Sequence, residues 1–533
     1  MTTIHSRHTG AAAILAMLFA APAFPATLAV GPGKTYAAPC AAIAQSAPND
    51  VIEITGGVTY SGNVCAINTS NLTIRGVNGR PRIDAAGANA QGKGTWVVTG
   101  NNVTIENVEM LGARVPDQNG AALRLEGTHF TLRGSFIHDN ENGILSGANT
   151  ASNILIENNE FGHNGYGTGY THNVYIGNVA SLTFRANYSH DANVGHNLKS
   201  RARVNTVAYN RFSSTPDGQT GSTARGKPSY EIDLPNAGTG YVIGNVIEQP
   251  AGNSNPNMLA YGEEGASNPA QDLYVVNNTF LNDDPNSGTF VMVGTGVTRP
   301  VLIQNNIFAG TGTLSNQAGA LERTNFRSIA PGFVDRAGYD LHPSANVLVI
   351  DAGSAPGLAA SGLSLAPVAQ YKHVAAGETR TASGAFDIGA YEASAAPAAG
   401  GGWTSCAVEG GTCSFSGTAQ VRYGANNVYA TRTASGSIAC TNAVFGDPIQ
   451  NVAKTCQYAA TAATPTPPAV ETWTPCAAEG ASCAFSGTRT VRYGAVGVYV
   501  ARVATASTPC TNAVFGDPVL GTAKSCSYSS ITR

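Results

Sequence analysis

The phrases NILIENNEF (residues 153–161), SLTFRANYS (181–189) and NTVAYNRFS (205–213) share one pattern: an alternating apolar strand runs into Asn and, within two residues, an aromatic ring. Outward from these three, the phrase returns as NLTIRGVN from Asn71, NVTIENVEM from Asn102 and HFTLRGSFI from His129. It continues as YVIGNVIE from Tyr241, LYVVNNTF from Leu273 and VLIQNNIF from Val301, with successive copies about 24 to 36 residues apart. Between copies lies a second short strand: ALRLEG from Ala122, GILSG from Gly143, NVYIG from Asn173, NLKSRA from Asn197, YEIDLP from Tyr230 and FVMVG from Phe290. Each repeat is therefore strand, turn, strand, turn. A unit of this size with no helical period cannot bury its apolar side alone, whereas stacking it on the next copy makes a continuous core. Asn at the same turn of successive coils tolerates left-handed backbone and can form side-chain ladders. A β-sandwich of hairpins would need frequent Asn-Gly or Asp-Gly turns, which are sparse here. The expectation is an all-β chain dominated by a right-handed parallel β-helix.

Composition agrees. The 533 residues exceed one ordinary compact core. Charged residues are only 12%, about half the usual share. A net charge of −3 and the absence of any Lys/Arg run exclude a nucleic-acid partner. His5, Arg7 and His8 precede the apolar run of residues 11–20 and the small residues Ala21-Pro22-Ala23, the layout of a cleaved secretory signal. Residues 1–29 are assigned to it, and with no later segment apolar enough to span a bilayer, a secreted or periplasmic protein is expected. The expected organisation is then a β-helix over 30–392, a linker over 393–402, a Cys-rich module over 403–458, a Thr/Pro/Ala linker over 459–472 and a second module over 473–533.

The modules are a tandem duplication. Cys406, Cys413, Cys440 and Cys456 recur 70 residues later as Cys476, Cys483, Cys510 and Cys526, and Trp403 recurs as Trp473. So small a unit has little core without cross-links, so two disulfides per copy are expected, with all three pairings open. Cys40 and Cys65 are expected to pair near the first coil and close the end of the stack.

Residues 30–392 resemble the bacterial right-handed β-helix proteins, a broad group that includes pectate-lyase-like enzymes and mannuronan epimerases. The phrases YDLHPSANVLVIDAG from Tyr339 and FDIGAYE from Phe386 are similar to the closing segment of many secreted members. The tail units resemble small modules attached to secreted carbohydrate-active enzymes. That resemblance implies that Trp403 and Trp473 stack on sugar, with structural filling as the alternative. The segment from His172 to Phe212 also resembles the epimerase region in which a histidine turn precedes a His and a basic residue one coil on, so that His196 and Arg201 correspond to that pair. The acidic-Pro-His-Asp phrase of those epimerases is absent: Gly169-Tyr170-Thr171-His172-Asn173 stands there.

Six of the eight histidines beyond the signal fall between positions 129 and 196. His138-Asp139 and His190-Asp191 share a repeat phase, which suggests a turn ladder. His172 and His196 lie one coil apart and should stack on neighbouring rungs about 4.8 Å apart. Alternation turns Val174, Ile176, Leu198, Ser200, Ile232 and Leu234 inward. It leaves Tyr175, Lys199 and Asp233 outward beside Asn173, Asn197 and Glu231, with Arg201 at the edge and a bend turning the histidines out. Such a face suits an acidic polysaccharide. For uronate β-elimination Arg201 would neutralise the carboxylate, Lys199 or His196 act as base, and Tyr175 or His172 as acid, with Asn173, Asn197, Glu231 and Asp233 binding substrate. The plain alternative is ion pairing of Lys199 with Asp233 and Arg201 with Glu231. A glycoside hydrolase would draw instead on Asp191, Glu231, Asp233, Glu263 and Glu264, and a non-catalytic polysaccharide-binding protein is the third reading. Calcium is a candidate cofactor without a recognisable ligand loop, zinc is not suggested by any tight spacing, and a monomer is expected.

Overall fold

The computed structural model describes residues 25–213, 227–336, 340–344, 347–382, 384–393, 403–425, 428–449, 452–460, 472–495, 498–516 and 522–532. Residues 1–24 of the signal assignment, most of both linkers and the body of the 213–229 insertion therefore lie outside the described residues. Two compact units are present, Met1–Ala395 and Ala396–Arg533.

In the first unit, all-parallel strands build three sheets of twelve, eleven and ten strands among the described residues. One coil shows the rule. Val179–Arg185 lies in the first sheet, Tyr188–His190 in the second and Leu198–Ser200 in the third, before Val204–Ala208 re-enters the first sheet one rung on. This is a right-handed parallel β-helix. The repeat expected as two strands holds three, because the residues after the Asn form a strand of their own. At three residues, such strands are too short to show alternation, and a two-residue turn hides the break before them.

The core is a set of in-register stacks. Ile156, Phe184, Val207, Val242, Val275 and Ile303 follow one another along the first sheet, all fully buried. Phe280 and Phe308 stack in the second at 5.0 Å. At the N-terminal end, Ala42 and Ile43 of the short helix Pro39–Ile43 are buried in this core. The Cys40–Cys65 disulfide ties that helix to the first rung of the third sheet, as expected. The strand Thr27–Val30 already pairs with Val51–Thr55, so the stack begins before residue 30.

Between the first and second sheets runs a ladder of asparagines: Asn159, Asn187, Asn210, Asn245, Asn278 and Asn306, all fully buried, and the half-buried Asn325. The first Oδ1, of Asn159, accepts the Ser135 N–H, and each later one accepts the backbone N–H of the preceding rung's Asn at 2.8–3.0 Å. The left-handed backbone falls on the residue before, as at Asn158, Ala186, Tyr209, Asn277 and Asn305. The two roles expected of one Asn are thus divided between neighbours.

Each tail module is a four-stranded antiparallel sheet with the same strand order. Both copies choose the same pairing, Cys406–Cys413 with Cys440–Cys456 and Cys476–Cys483 with Cys510–Cys526. All ten cysteines are paired, which belongs to an oxidising compartment.

Asn210 accepts the Asn187 N–H and donates to Phe184 O and Asn245 Oδ1. Replacing it with Ala orphans several buried groups at about 1–3 kcal/mol each. Asn210→Ala should therefore lose about 3 kcal/mol or more in urea denaturation, and a loss below 1 kcal/mol would show the ladder to be dispensable.

Candidate functional site on the third sheet

The rungs Val174–Ile176, Leu198–Ser200, Ile232–Leu234 and Asn257–Tyr261 pair in parallel, aligning Tyr175, Lys199, Asp233 and Ala260 on the outward face. Val174, Ile176, Leu198, Ser200, Ile232 and Leu234 are fully buried on the other face, as alternation predicts. Beyond the last rung, Gly262 takes φ +72° and the turn carries Glu263 and Glu264, with the Glu264 N–H donating to Pro235 O.

These residues form one network. Lys199 Nζ lies 2.7 Å from Asp233 Oδ2 and 2.6 Å from Glu264 Oε1. Arg201 donates through Nε to the Tyr175 hydroxyl oxygen at 2.9 Å, and its other nitrogens reach Asn236 Oδ1 and Glu264 Oε2. His196 Nε2 stands 3.3 Å from Asp233 Oδ2. The expected Lys199–Asp233 pair forms, whereas Arg201 meets Glu264 in place of Glu231. The reason is that Glu231 is inside the coil.

The histidines do turn outward at the bend and stack, with ring centroids 4.6 Å apart. Their basic nitrogens are occupied: His172 Nδ1 accepts the His196 N–H at 3.0 Å, and His196 Nδ1 accepts the Tyr230 N–H at 3.2 Å. Each neutral ring therefore carries its proton on Nε2, which makes it a donor. The same bend that swings 172 and 196 out swings Asn173, Asn197 and Glu231 in. Expected beside the outward ladder, these three are fully buried in a chain of carboxamides running from Asn164 through Asn173 to Asn197 and ending on Glu231 Oε2.

Charge is sharply partitioned. Burial would raise Asp233, but hydrogen bonds from His196 and Glu263 and the charge of Lys199 hold it well below the usual carboxylate range. Burial, then the hydrogen bond to and charge of Asp233, push Glu263 up to about 9, so it keeps its proton at neutral pH. Burial opposes the charge on Lys199 and on Glu264, but their mutual contact and those to Asp233 and Arg201 prevail. Lys199 is raised and Glu264 lowered. His172 is lowered by burial and by the positive groups around it.

One oxygen each of Asp233, Glu263 and Glu264 lies within 4.8 Å of the others. Among the described residues, Asp233 Oδ1 and Glu263 Oε2 are buried without a hydrogen-bond partner. This all-oxygen donor set fits a calcium ion. Among the hydrolase carboxylates, Asp191 lies elsewhere: it pairs with His190 Nδ1 at 2.6 Å, as Asp139 pairs with His138 Nδ1. Both Asp residues adopt left-handed backbone, so the expected turn ladder is present. His163 occupies that position on the coil between and, with His190 and Asp191, forms a second grouping of potential ligands that sequence spacing did not suggest.

Trp403 and Trp473 are half-buried, each with a guanidinium over one face. Arg422 sits 4.4 Å from Trp403 and 4.2 Å from Tyr429, and Arg492 sits 4.5 Å from Trp473 and 4.3 Å from Tyr499. Glu263 and Glu264 were legible only as hydrolase carboxylates, and Tyr230 and Asn236 went unnoticed. A Gly directly after a third-sheet strand was the available signal for the carboxylate turn.

No protein-family model matches the chain, and no curated protein does. Among solved structures it is similar to a pectate lyase, Pel9A, at 17% identity and TM-score 0.48, over 66% of this chain and 90% of that one. A Geobacillus virus E2 protein, ORF18, aligns at 15% identity and TM-score 0.32 over 54% of this chain and 56% of that one. A pectin methylesterase from Aspergillus niger aligns at 13% identity and TM-score 0.27 over 60% and 90%.

Glu231 is raised well above the ordinary value by burial, which the Asn197 hydrogen bond only partly offsets. A carboxyl with a raised folded-state pKa contributes stability that is full below its unfolded pKa, about 4.3, and is lost as pH rises towards the folded value. Glu231→Gln should match the native protein in thermal stability near pH 4 and exceed it increasingly above that, by up to about 1.4 kcal/mol per pH unit. A pH-independent difference would contradict a neutral buried Glu231.

Proposed function

We propose that this is a secreted enzyme that cleaves an acidic, uronate-containing polysaccharide by β-elimination on the outward face of the third sheet. The observation that carries the reading is the convergence, on adjacent rungs, of two cations, a phenol oxygen held by a guanidinium and a carboxylic acid that is protonated at neutral pH. Elimination needs a cationic partner for the uronate carboxylate, a base for the C5 proton and an acid for the glycosidic oxygen. Lys199 and Arg201 supply the first. With the basic nitrogens of His172 and His196 committed to backbone N–H groups and Lys199 held protonated, Tyr175 is assigned as the base in its phenolate form, which Arg201 Nε–H would stabilise and which takes the C5 proton to become the neutral phenol. Glu263 is assigned as the acid. Asp233, fully buried, positions Lys199, His196 and Glu263.

Glu264 occupies the place that a substrate carboxylate would take against Lys199 and Arg201. Its side chain is 43% exposed against 0% for Asp233, so it is the partner that can leave. Asp233, Glu263 and Glu264 would hold calcium only with Glu263 deprotonated and Glu264 in place, an alternative to their roles as acid and exchangeable partner in which the ion would supply positive charge for the substrate carboxylate. Epimerisation would share the proton-abstraction step. Hydrolysis is less well supported, because Asp233 is fully buried and paired with Lys199 and so is not placed to act on a sugar as base or nucleophile. The tail modules are assigned to holding the polymer, their duplication favouring avidity.

Pectate, alginate and glycosaminoglycans, with and without calcium, should reveal an unsaturated-uronate absorbance with at least one polymer. Tyr175→Phe and Glu263→Gln should each lower kcat by about 10²–10⁴-fold, and activity should fall as pH rises through about 9, where Glu263 loses its proton. New reducing ends without absorbance would instead mean hydrolysis, and neither signal on any polymer would sink catalytic cleavage. Glu264→Gln, which removes the competing carboxylate charge, should lower KM for the same polymer in initial-rate assays. A raised KM would show Glu264 to assist binding.

A further inference from the structure

Among the described residues of the β-helix unit, two tyrosines stand exposed: Tyr170 at 86% and Tyr166 at 45%. Both belong to the loop between the strands Glu160–Gly162 and Val174–Ile176, which delivers His172 to the face described above. Leaving a large aromatic side chain in water forgoes the stability that its burial would add. Two such rings within five residues, at the rim of a charged face, call for an account.

The loop holds them in place. Gly165, Gly167 and Gly169 take φ of +131°, +98° and +81°, conformations that L side chains rarely adopt. The Tyr166 N–H donates to Thr171 Oγ1 at 2.7 Å and closes the loop. On one side the Gly165 N–H donates to Asn140 O, and on the other Asn193 Nδ2 donates to Gly165 O. A Cβ at Gly165 would lie 2.6 Å from Asn193 O, so the loop lies directly against the next coil.

We propose that Tyr166 and Tyr170 form a stacking subsite for one sugar ring of the bound polymer, displaced along the coil axis from the reacting ring. This rests on the reading that a polysaccharide lies on the third sheet. Tyrosine offers a rigid amphipathic ring at low conformational cost, and its face suits the C–H-rich face of a pyranose. The loop feeds the rung of Tyr175, two rungs from Asp233, a displacement of about 10 Å at about 4.8 Å per rung. The ring held there is therefore a neighbour of the reacting one, and its contribution is to affinity and to the minimum chain length used.

The test compares the Tyr166→Ala/Tyr170→Ala double variant with the Phe/Phe variant. With the polymer that is cleaved, the Ala pair should raise KM by about 3- to 10-fold with kcat unchanged, and the Phe pair should restore it. The effect should vanish on oligosaccharides too short to reach the loop. An unchanged KM in the Ala pair would overturn the subsite. If no polymer is cleaved, affinity electrophoresis in gels containing pectate or alginate separates the two ideas. Retardation that the Ala pair abolishes and the Phe pair keeps supports the subsite while the elimination reading falls. Equal migration of native and Ala proteins overturns it.

Discussion

Everything in the first unit depends on one constraint: each coil must repeat its backbone hydrogen bonds about 4.8 Å further along the axis without slipping. Sheets alone enforce this poorly where strands are three residues long, as in Tyr188–His190 and Leu198–Ser200. The asparagine ladder supplies the missing register. A carboxamide has the donor and acceptor of a peptide group, so Asn187, Asn210 and Asn245 continue the ladder through the turn where the backbone breaks off. The buried chain of Asn164, Asn173 and Asn197 does the same at the entrance to the third sheet. A slip of one residue there would carry Lys199 and Asp233 into the core.

Rigid register is what lets ionisable groups be placed against one another at the site. Asp233 is fully buried yet ionised, because Lys199 and His196 come from the rung before it and Glu263 from the turn one rung on. Its charge in turn keeps the proton on Glu263. Two carboxyl groups in contact are thus driven apart in proton affinity, the usual arrangement of acid–base sites. The face carries two cations, Lys199 and Arg201, against two carboxylates, Asp233 and Glu264, so its charges balance within the network.

How much of this was legible follows from periodicity. Repeats of about 24 to 36 residues are visible because every coil restates its apolar alternation, and that was enough for the parallel β-helix and for the outward order Tyr175, Lys199, Asp233. The second-sheet strands were missed because three residues carry no period. The placement of Asn173, Asn197 and Glu231 went astray at the bend. Alternation assumes an extended backbone, and a bend that turns one residue outward inverts the phase of the next. The tail pairing was not legible at all, since four cysteines leave three connectivities until the antiparallel order brings Cys413 beside Cys406 and Cys456 beside Cys440.

The bend also explains why Glu231 and Asp233, two residues apart on one strand, end in opposite protonation states. Asp233 stays on the outer face among Lys199 and His196, where every neighbour that donates to it favours its charge. Glu231 has crossed to the inside, where one Asn197 amide is its donor and, among the described residues, its second oxygen has no hydrogen-bond partner. A carboxylate there would face burial with a single hydrogen bond in compensation, so it stays neutral. Burial is complete at both positions. What separates them is the number of donors within reach, and that number is set by which side of the wall the bend has put them on.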